Sequence, residues 1–231
     1  MPYIIIGLVI LIPVLMYFSA KYGEKKARKS FFDMLFKFGY DTKVKAFKTY
    51  NLSAQKNGIV FLGDSITQDY NVYEYLKPYD VYNRGIGGDT TLGVLKRLDE
   101  SVFQLEPKQV FLMIGTNDFE LTDQTTHEIH HNVEEIVKKI HKKLPQCKIM
   151  IISTLPVNPT IDIKTVGKRT NAKISELNYL NKNIKHVVYV DAYTKLLKND
   201  VLNPAYTLEG LHLNQEGYTV LTKVLNTYID K

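Results

Sequence analysis

The sequence contains very little cysteine and no internal repeats. Both absences limit the classes of fold that the chain can adopt. Cys147 is the single cysteine among 231 residues, which excludes an internal disulfide framework. It lies in the apolar run 147–152, where a free cysteine is typical of a buried structural residue rather than a reactive thiol. The absence of repeats and of low-complexity stretches, at this length, predicts one main domain with a full hydrophobic core.

The chain also lacks excess charge over most of its length, although its net charge is +6. Residues 19–48 hold nine basic and three acidic residues, which account for the whole excess, whereas residues 49–231 hold 21 of each sign. An enzyme of nucleic acids normally carries its basic surface on the working domain, so a nucleic-acid partner is not expected. Because the basic cluster follows a hydrophobic segment, we expect it to face an anionic membrane surface instead.

That hydrophobic segment, residues 3–20, contains no charged residue and is rich in Ile, Leu and Val. Its length is at the short end of the ~17–25 residues that a membrane helix needs, and Pro13 would kink it. We expect a transmembrane anchor at 3–20, a basic helical linker at 21–57 and a folded domain at 58–231. The positive-inside rule places this domain in the cytoplasm, although anchored enzymes are also exported. A cleaved signal peptide is the main alternative, but no basic residue precedes the run.

Beyond the linker region, short apolar runs alternate with helical patterns. An amphipathic pattern over 30–54 predicts one or two helices before the first strand. Strands are predicted at 59–62, 81–82, 110–114, 149–152 and 187–190, and helices at 92–105, 126–144, 168–182 and 215–228. Such alternation predicts an α/β fold whose parallel sheet is covered on both faces. Active sites in these folds lie at the carboxyl ends of the strands.

Polar, glycine-containing segments follow three of the predicted strands, at 63–65, 83–90 and 115–118. A fourth, 209–214, precedes the last helix. Each segment alone is an ordinary turn sequence. Their shared position at the strand ends predicts that together they form a functional site.

The residues in these segments fit acyl transfer by a serine nucleophile. Ser65 would be the nucleophile, and a serine hydroxyl needs a neighbouring base to accept its proton. His212 is the histidine placed outside the helix patterns and strand edges, with Asn214 as a predicted N-cap of the last helix. A carboxylate beside His212 would fix its tautomer, and Glu209 is the expected residue, with Asp191 a weaker alternative.

The negative charge that develops on the substrate needs hydrogen-bond donors. We expect the backbone N–H groups of Ser65 and Gly88 and the side-chain amide of Asn117 to supply them. Glycine at position 88 allows close approach of the backbone to the substrate. The border of the acyl pocket has four candidate residues, Tyr70, Tyr73, Tyr75 and Val157.

In these four segments the sequence resembles the SGNH (GDSL-type) hydrolase superfamily. The resemblance covers about residues 58–228, and residues 153–158 are similar to the branch with platelet-activating-factor acetylhydrolase subunits and bacterial acylhydrolases. It implies a three-layer α/β/α sandwich with a five-stranded parallel, flavodoxin-like sheet. It also implies ester hydrolysis, often of short acyl groups on lipids or sugars, without a metal or other cofactor. Ser65, His212, Gly88 and Asn117 match the residues that carry this activity.

One position departs from the family pattern, because Glu209 stands where Asp is usual. We expect the longer glutamate to orient His212 with an altered backbone or rotamer. A Ser–His dyad with Glu209 turned to solvent is the alternative. A membrane-tethered binding module that has lost catalysis is a further alternative.

A competing motif, His127-Glu128-Ile129-His130-His131, matches the H-E-x-x-H pattern of zinc hydrolases. Helical periodicity argues against a metal site, because His127 and His131 fall opposite the apolar stripe of the same helix. We therefore expect both histidines to face solvent. The stripe itself consists of Ile129, Val133, Ile136, Val137, Ile140 and Leu144.

Overall fold

The computed structural model describes the backbone of residues 2–230 and the side chains of residues 17, 19–24, 26–28, 30–32 and 34–230. The chain divides into two compact units, Met1–Asp41 and Thr42–Lys231. The first unit consists of most of one helix, α1 (Pro2–Asn51). The second unit begins with the last turns of α1 and continues with the sheet and its helices.

A sheet of five parallel strands organises the second unit. The strands are β1 (Ile59–Gly63), β2 (Val81–Gly85), β3 (Gln109–Met113), β4 (Lys148–Ile152) and β5 (Val187–Val190). Their order across the sheet is β2-β1-β3-β4-β5, the doubly wound order of flavodoxin-like folds. Gly63, the last residue of β1, pairs with Gly85 and with Met113, so three strands end side by side. The predicted five-stranded parallel sheet is confirmed.

Helices cover both faces of this sheet. They are α2 (Ser65–Gln68), α3 (Val72–Tyr75), α4 (Thr91–Lys96), α5 (Leu98–Ser101), α6 (Asp118–Leu121), α7 (Thr126–Lys143), α8 (Ile163–Val166), α9 (Asn171–Asn181), α10 (Tyr193–Leu196) and α11 (Gln215–Leu225). Two single 3₁₀ turns, Phe103–Leu105 and Pro204–Tyr206, and a short hairpin of β6 (Leu197–Lys198) and β7 (Val201–Leu202) complete the unit.

Alternate residues of β1 and β3 point to opposite faces of the sheet and belong to two separate hydrophobic cores. Phe61 and Phe111 pack on one face with Tyr218 of α11, whereas Leu62 and Leu112 pack on the other face, which α4, α5 and α7 cover. Every residue of β1 and β3 is buried. Burial on both faces explains why these strands were recognisable as continuous apolar runs.

The predicted helix 92–105 is broken into α4, α5 and a 3₁₀ turn. The break comes at Arg97, which has φ −115° and ψ 17° and ends α4. The Arg97 side chain is completely buried and donates to the backbone carbonyls of Gly63 and Arg84. These tertiary hydrogen bonds override the local preference for one continuous helix.

The last turn of α1 is bound to the sheet unit through Asn51. Its Nδ2 donates to the Glu100 carbonyl oxygen at 2.7 Å, and its Oδ1 accepts from Arg84 Nη2 at 2.8 Å. The Arg84 guanidinium also lies 4.7 Å from the ring centroid of Phe47. Polar and aromatic contacts therefore fix residues 47–51 against the rest of the unit.

The membrane predictions need correction. Across the residues that the structure describes, no helix combines the length and the apolar composition that a membrane crossing requires. The described part of α1 carries the basic cluster, and charged side chains are costly in a hydrocarbon interior. This finding contradicts the predicted single-pass location with a cytoplasmic domain, and it gives the predicted membrane partner no support. The apolar run 3–20, which led to them, lies mostly outside the described side chains.

Candidate active site

Ser65 is the first residue of α2 and follows β1 after a single intervening residue, Asp64. Asp64 is the N-cap of α2, and its carboxylate accepts from the Ile66 N–H at 3.0 Å. A side chain at Gly63 would overlap the Met113 carbonyl oxygen, so glycine allows this sharp turn to pack against β3. The turn leaves Ser65 partly exposed at the carboxyl end of β1.

His212 meets Ser65 from a part of the chain about 150 residues further on. Its Nε2 lies 3.0 Å from Ser65 Oγ, within hydrogen-bond distance. The carbonyl oxygen of His212 accepts from Thr207 Oγ1 at 2.7 Å, which secures the loop before α11. Asn214 accepts from the Gly217 N–H at 2.9 Å, so the predicted N-cap is confirmed. The sequence therefore brings a hydroxyl and an imidazole together at the strand ends.

Glu209 holds the other side of the imidazole. Its Oε1 accepts from His212 Nδ1 and, at 3.1 Å, from the backbone N–H of the same histidine. This arrangement assigns the Nδ1–H tautomer to His212 and leaves Nε2 free to accept from Ser65. Asp191, the weaker candidate, accepts from the Thr194 N–H and hydroxyl at the start of α10. Glu209, and not Asp191, is the carboxylate in contact with His212.

Gly88 lies in the loop between β2 and α4. Its φ of +74° is in the left-handed region, which glycine adopts without steric cost. Two hydrogen bonds tie this loop to the Ser65 turn: the Ile86 N–H donates to Gly63 O at 3.1 Å, and the Gly87 N–H donates to Gln68 Oε1 at 3.1 Å. The loop is thus fixed against the end of β1 and against α2.

Asn117, which follows β3, is buried and its amide is oriented from both ends. Nδ2 donates to the Asp89 carbonyl oxygen at 3.0 Å, and Oδ1 accepts from Arg169 Nη2 at 2.8 Å. The two partners fix which end of the amide is nitrogen, because arginine can only donate and a carbonyl can only accept. Within the described part of the chain, Nδ2 uses one of its two N–H groups in the contact with Asp89.

Two buried arginines that the sequence analysis did not single out support these loops. Arg97 forms a buried ion pair with Asp89, with Nε 2.7 Å from Oδ2, and binds the carbonyl oxygens at the ends of β1 and β2. Arg169 donates to Asn117 and, through Nε, to the Thr116 carbonyl oxygen at 3.0 Å. The burial of Arg97 could have been inferred from the sequence, because the spacing of three and four residues places it on one helical face with Val94 and Ser101.

Buried carboxyl groups surround the Ser65 turn. Burial raises the pKa of Asp64 to about 7, and burial likewise raises the pKa of Asp118 to about 6. Burial also raises the pKa of Asp89, an effect that the Arg97 guanidinium opposes. Asp118 accepts from the Thr91 N–H and hydroxyl, which connects α6 to the start of α4. These three carboxyl groups are buried near the Ser65 turn, and their raised pKa values bring their ionisation closer to neutral pH.

The H-E-x-x-H segment lies in α7, away from these contacts. The side chains of His127 and His131 are 75% and 68% exposed, which confirms that they face solvent. Within the described part of the chain, no group of three or more metal-binding side chains occurs. Glu128 serves instead in the capping box of α7 with Thr125.

A cleft of about 550 Å³ opens beside His212. It lies between the α2–α3 region and the start of α11, and Tyr75 is one of its walls. Of the other candidates for a pocket border, Tyr70 and Val157 are core residues and Tyr73 is exposed. Neither Gly88 nor Asn117 borders this cleft.

Comparison with known proteins identifies the family to which the chain belongs. The sequence profile of the GDSL-like Lipase/Acylhydrolase family matches residues 61–220. The chain belongs to this family. Platelet-activating factor acetylhydrolase IB subunit alpha2 of Bos taurus and that of Homo sapiens are each 30% identical to it over 182 residues, which cover 74% of this chain and 75% of each relative.

Solved structures of the family share the fold. A Streptococcus pneumonia protein, provisionally described as a platelet activating factor, superposes with a TM-score of 0.82 at 29% identity, covering 86% of this chain and 96% of its own. A protein of Bacteroides fragilis, provisionally described as an acylhydrolase, gives a TM-score of 0.69 at 27% identity, with 80% and 94% covered. Family membership assigns ester hydrolysis as the general activity of the chain.

Proposed function

We propose that the chain is a serine esterase that cleaves short-chain acyl esters, such as acetyl esters, of a lipid or a carbohydrate. The observation that carries this proposal is the continuous contact from Ser65 Oγ through the His212 imidazole to Glu209. The catalytic part corresponds to residues 58–231. The acetylhydrolases among its relatives support a short acyl group.

In the first step Ser65 Oγ bonds to the ester carbonyl carbon while its proton passes to His212 Nε2. Glu209 stabilises the imidazolium through Nδ1–H. The carbonyl oxygen becomes an oxyanion, which the N–H groups of Ser65 and Gly88 and the second N–H of the Asn117 amide stabilise. When the tetrahedral intermediate collapses, the carbon–oxygen bond to the alcohol breaks and His212 returns the proton to the leaving oxygen.

The second half of the reaction uses the same groups with water as the nucleophile. His212 takes a proton from water, and the hydroxide oxygen attacks the acyl-enzyme carbonyl carbon. The Ser65 ester bond breaks, the acid leaves and Ser65 recovers its proton from His212. No step in this sequence requires a metal or a redox cofactor.

An acyl-chain-length series of p-nitrophenyl esters tests the proposal, with Ser65→Ala as the control. We expect the highest kcat/KM for acetate, a decline with chain length, and a loss of ~10⁴-fold or more in Ser65→Ala, since the triad acts as a unit. Activity that is independent of chain length and survives in Ser65→Ala would overturn the proposal. Insensitivity of wild-type activity to a chelator separates this mechanism from a zinc hydrolase.

A further inference from the structure

The cleft beside His212 has a mixed lining, in which polar side chains lie beside Leu208, Leu213 and Tyr218. Asp69, Asn71, Glu74, Tyr75 and Gln215 contribute to it, and all are partly or fully exposed. The Asp69 carboxylate and the Asn71 and Gln215 amides make no side-chain hydrogen bond or ion pair with any described residue. Glu74, in contrast, is paired with Lys77 at 3.0 Å.

The position of the cleft identifies the part of the substrate that it would bind. His212 protonates the leaving oxygen in the proposed reaction, so the alcohol portion of the ester must lie on the His212 side of the breaking bond. The oxyanion donors define the other side, and Gly88 and Asn117 do not border the cleft. The cleft is therefore placed to receive the alcohol and not the carbonyl oxygen.

The chemistry of the lining selects among alcohols. Carboxylate and amide side chains offer several acceptors and donors that pair with hydroxyl groups. Apolar surface beside them comes from Tyr75, Leu208, Leu213 and Tyr218. Among the described residues no lysine or arginine lines the cleft, and Asp69 has no counter-ion. A phosphate group would consequently meet a carboxylate without meeting a compensating cation.

We propose that this cleft binds the alcohol portion of the ester and selects an uncharged polyhydroxyl alcohol, such as a sugar unit, over an alcohol that carries phosphate. The inference rests on the proposed esterase function and narrows its substrate class. Asp69 is the residue that discriminates by charge, and Asn71 and Gln215 bind hydroxyl groups.

Two pairs of acetate esters test this selectivity. Acetylglycerol and acetylglycerol 3-phosphate differ only in the phosphate, and a mono-acetylated methyl glucoside and propyl acetate differ in the hydroxyl groups of the alcohol. Because one unpaired charge in water is worth about 1 kcal/mol at contact distance, we expect kcat/KM to be about fivefold higher for acetylglycerol than for its phosphate. The glucoside ester should exceed propyl acetate by about tenfold, as two hydrogen bonds would give.

A charge-reversal variant with a matched control completes the test. Asp69→Lys should reverse the preference for acetylglycerol over its phosphate, by about tenfold or more in the ratio of the two kcat/KM values. Asp80→Lys makes the same change on an exposed residue at the amino ends of β1 and β2, and should leave the ratio unchanged. A wild-type preference for the phosphate ester, or equal ratios in the two variants, would overturn the inference. Loss of p-nitrophenyl acetate hydrolysis in Ser65→Ala, measured alongside, shows separately that the proposed function holds.

Discussion

Arg169 donates from Nη2 to the side-chain oxygen of Asn117 at 2.8 Å, and this bond fixes the direction of the amide. The opposite end of the amide is held by the Asp89 carbonyl oxygen. Both Asn117 and Arg169 are buried, so the amide cannot rotate without breaking charge-assisted contacts. One N–H is thereby presented in a constant direction, and a cationic donor on the oxygen strengthens it as a donor.

Replacing Arg169 with Met should reduce kcat by at least ~10-fold, a fraction of the ~10²–10³ lost when an oxyanion donor is removed entirely. KM should change little, because Asn117 acts mainly on the transition state. Steady-state kinetics on p-nitrophenyl acetate measures both values. Thermal unfolding of the variant establishes that the comparison is made on folded protein.

Asn117→Ala provides the control for this prediction. If Arg169 acts through Asn117, the double variant should be about as slow as Asn117→Ala alone. Losses that multiply in the double variant would show that Arg169 influences the rate by another route.

Glu209 accepts two hydrogen bonds from His212, and its replacement tests the carboxylate of the triad. Glu209→Gln should lower kcat by ~10²-fold or more, because the neutral amide removes the charge that stabilises the imidazolium. Glu209→Asp is the matched variant, since it keeps the charge on a shorter side chain, and it should retain more activity than the glutamine variant. A glutamine variant with wild-type kcat would support a Ser–His dyad instead.

Protonation of Asp64 should make the stability of the fold depend on pH. Burial raises its pKa from 3.8 to about 7, so the folded protein binds a proton that the unfolded chain has released. The stabilising effect is complete below about pH 4 and is lost as the pH rises towards 7. Wild-type protein should therefore lose stability between pH 5 and 8.

Asp64→Asn keeps the N-cap acceptor for Ile66 but cannot ionise. Between pH 5 and 8 the free energy of unfolding of this variant should fall less than that of wild type. The difference between the two changes should exceed about 1 kcal/mol, because one pKa unit corresponds to about 1.4 kcal/mol. Urea denaturation at the two pH values measures the difference. Asp80→Asn, an exposed control, should follow wild type, and parallel behaviour of all three proteins would contradict the prediction.

The buried ion pair of Arg97 and Asp89 should be essential for folding stability. Arg97→Met removes the guanidinium from the Asp89 carboxylate and from two strand-end carbonyl oxygens, which leaves a buried charge without its counter-ion, and should cost about 3–5 kcal/mol. Adding Asp89→Asn should recover part of this loss, because it removes the unpaired charge. Chemical denaturation measures the loss in the free energy of unfolding. A loss below about 1 kcal/mol in Arg97→Met would mean that the ion pair is dispensable.

The sequence was sufficient to locate the strand ends and the residues at them. Buried parallel strands have continuous apolar runs, and their carboxyl ends must converge, so Ser65, Gly88 and Asn117 were expected in one region. The position of His212 followed from the need for a base and from its place before α11. The contact of Glu209 with His212 was expected from the three-residue spacing, and the structure places the two side chains together.

Other features depend on tertiary contacts that local patterns do not record. The break in the predicted helix 92–105 arises because Arg97 is drawn into the space between β1 and β2. Arg169 reaches Asn117 from 52 residues along the chain, and its own surroundings give no indication of that partner. The membrane anchor was inferred from composition alone, and the described helices do not support it.

The central claim is that Ser65 is a nucleophile activated by His212, and labelling with a fluorophosphonate tests it most directly. Intact-protein mass spectrometry, followed by peptide mapping, measures the extent and the position of the adduct. Wild type should carry one adduct on Ser65, Ser65→Ala should carry none, and labelling of His212→Ala should be ~10²-fold slower or more. No adduct in wild-type protein, or equal labelling of wild type and Ser65→Ala, would contradict the claim.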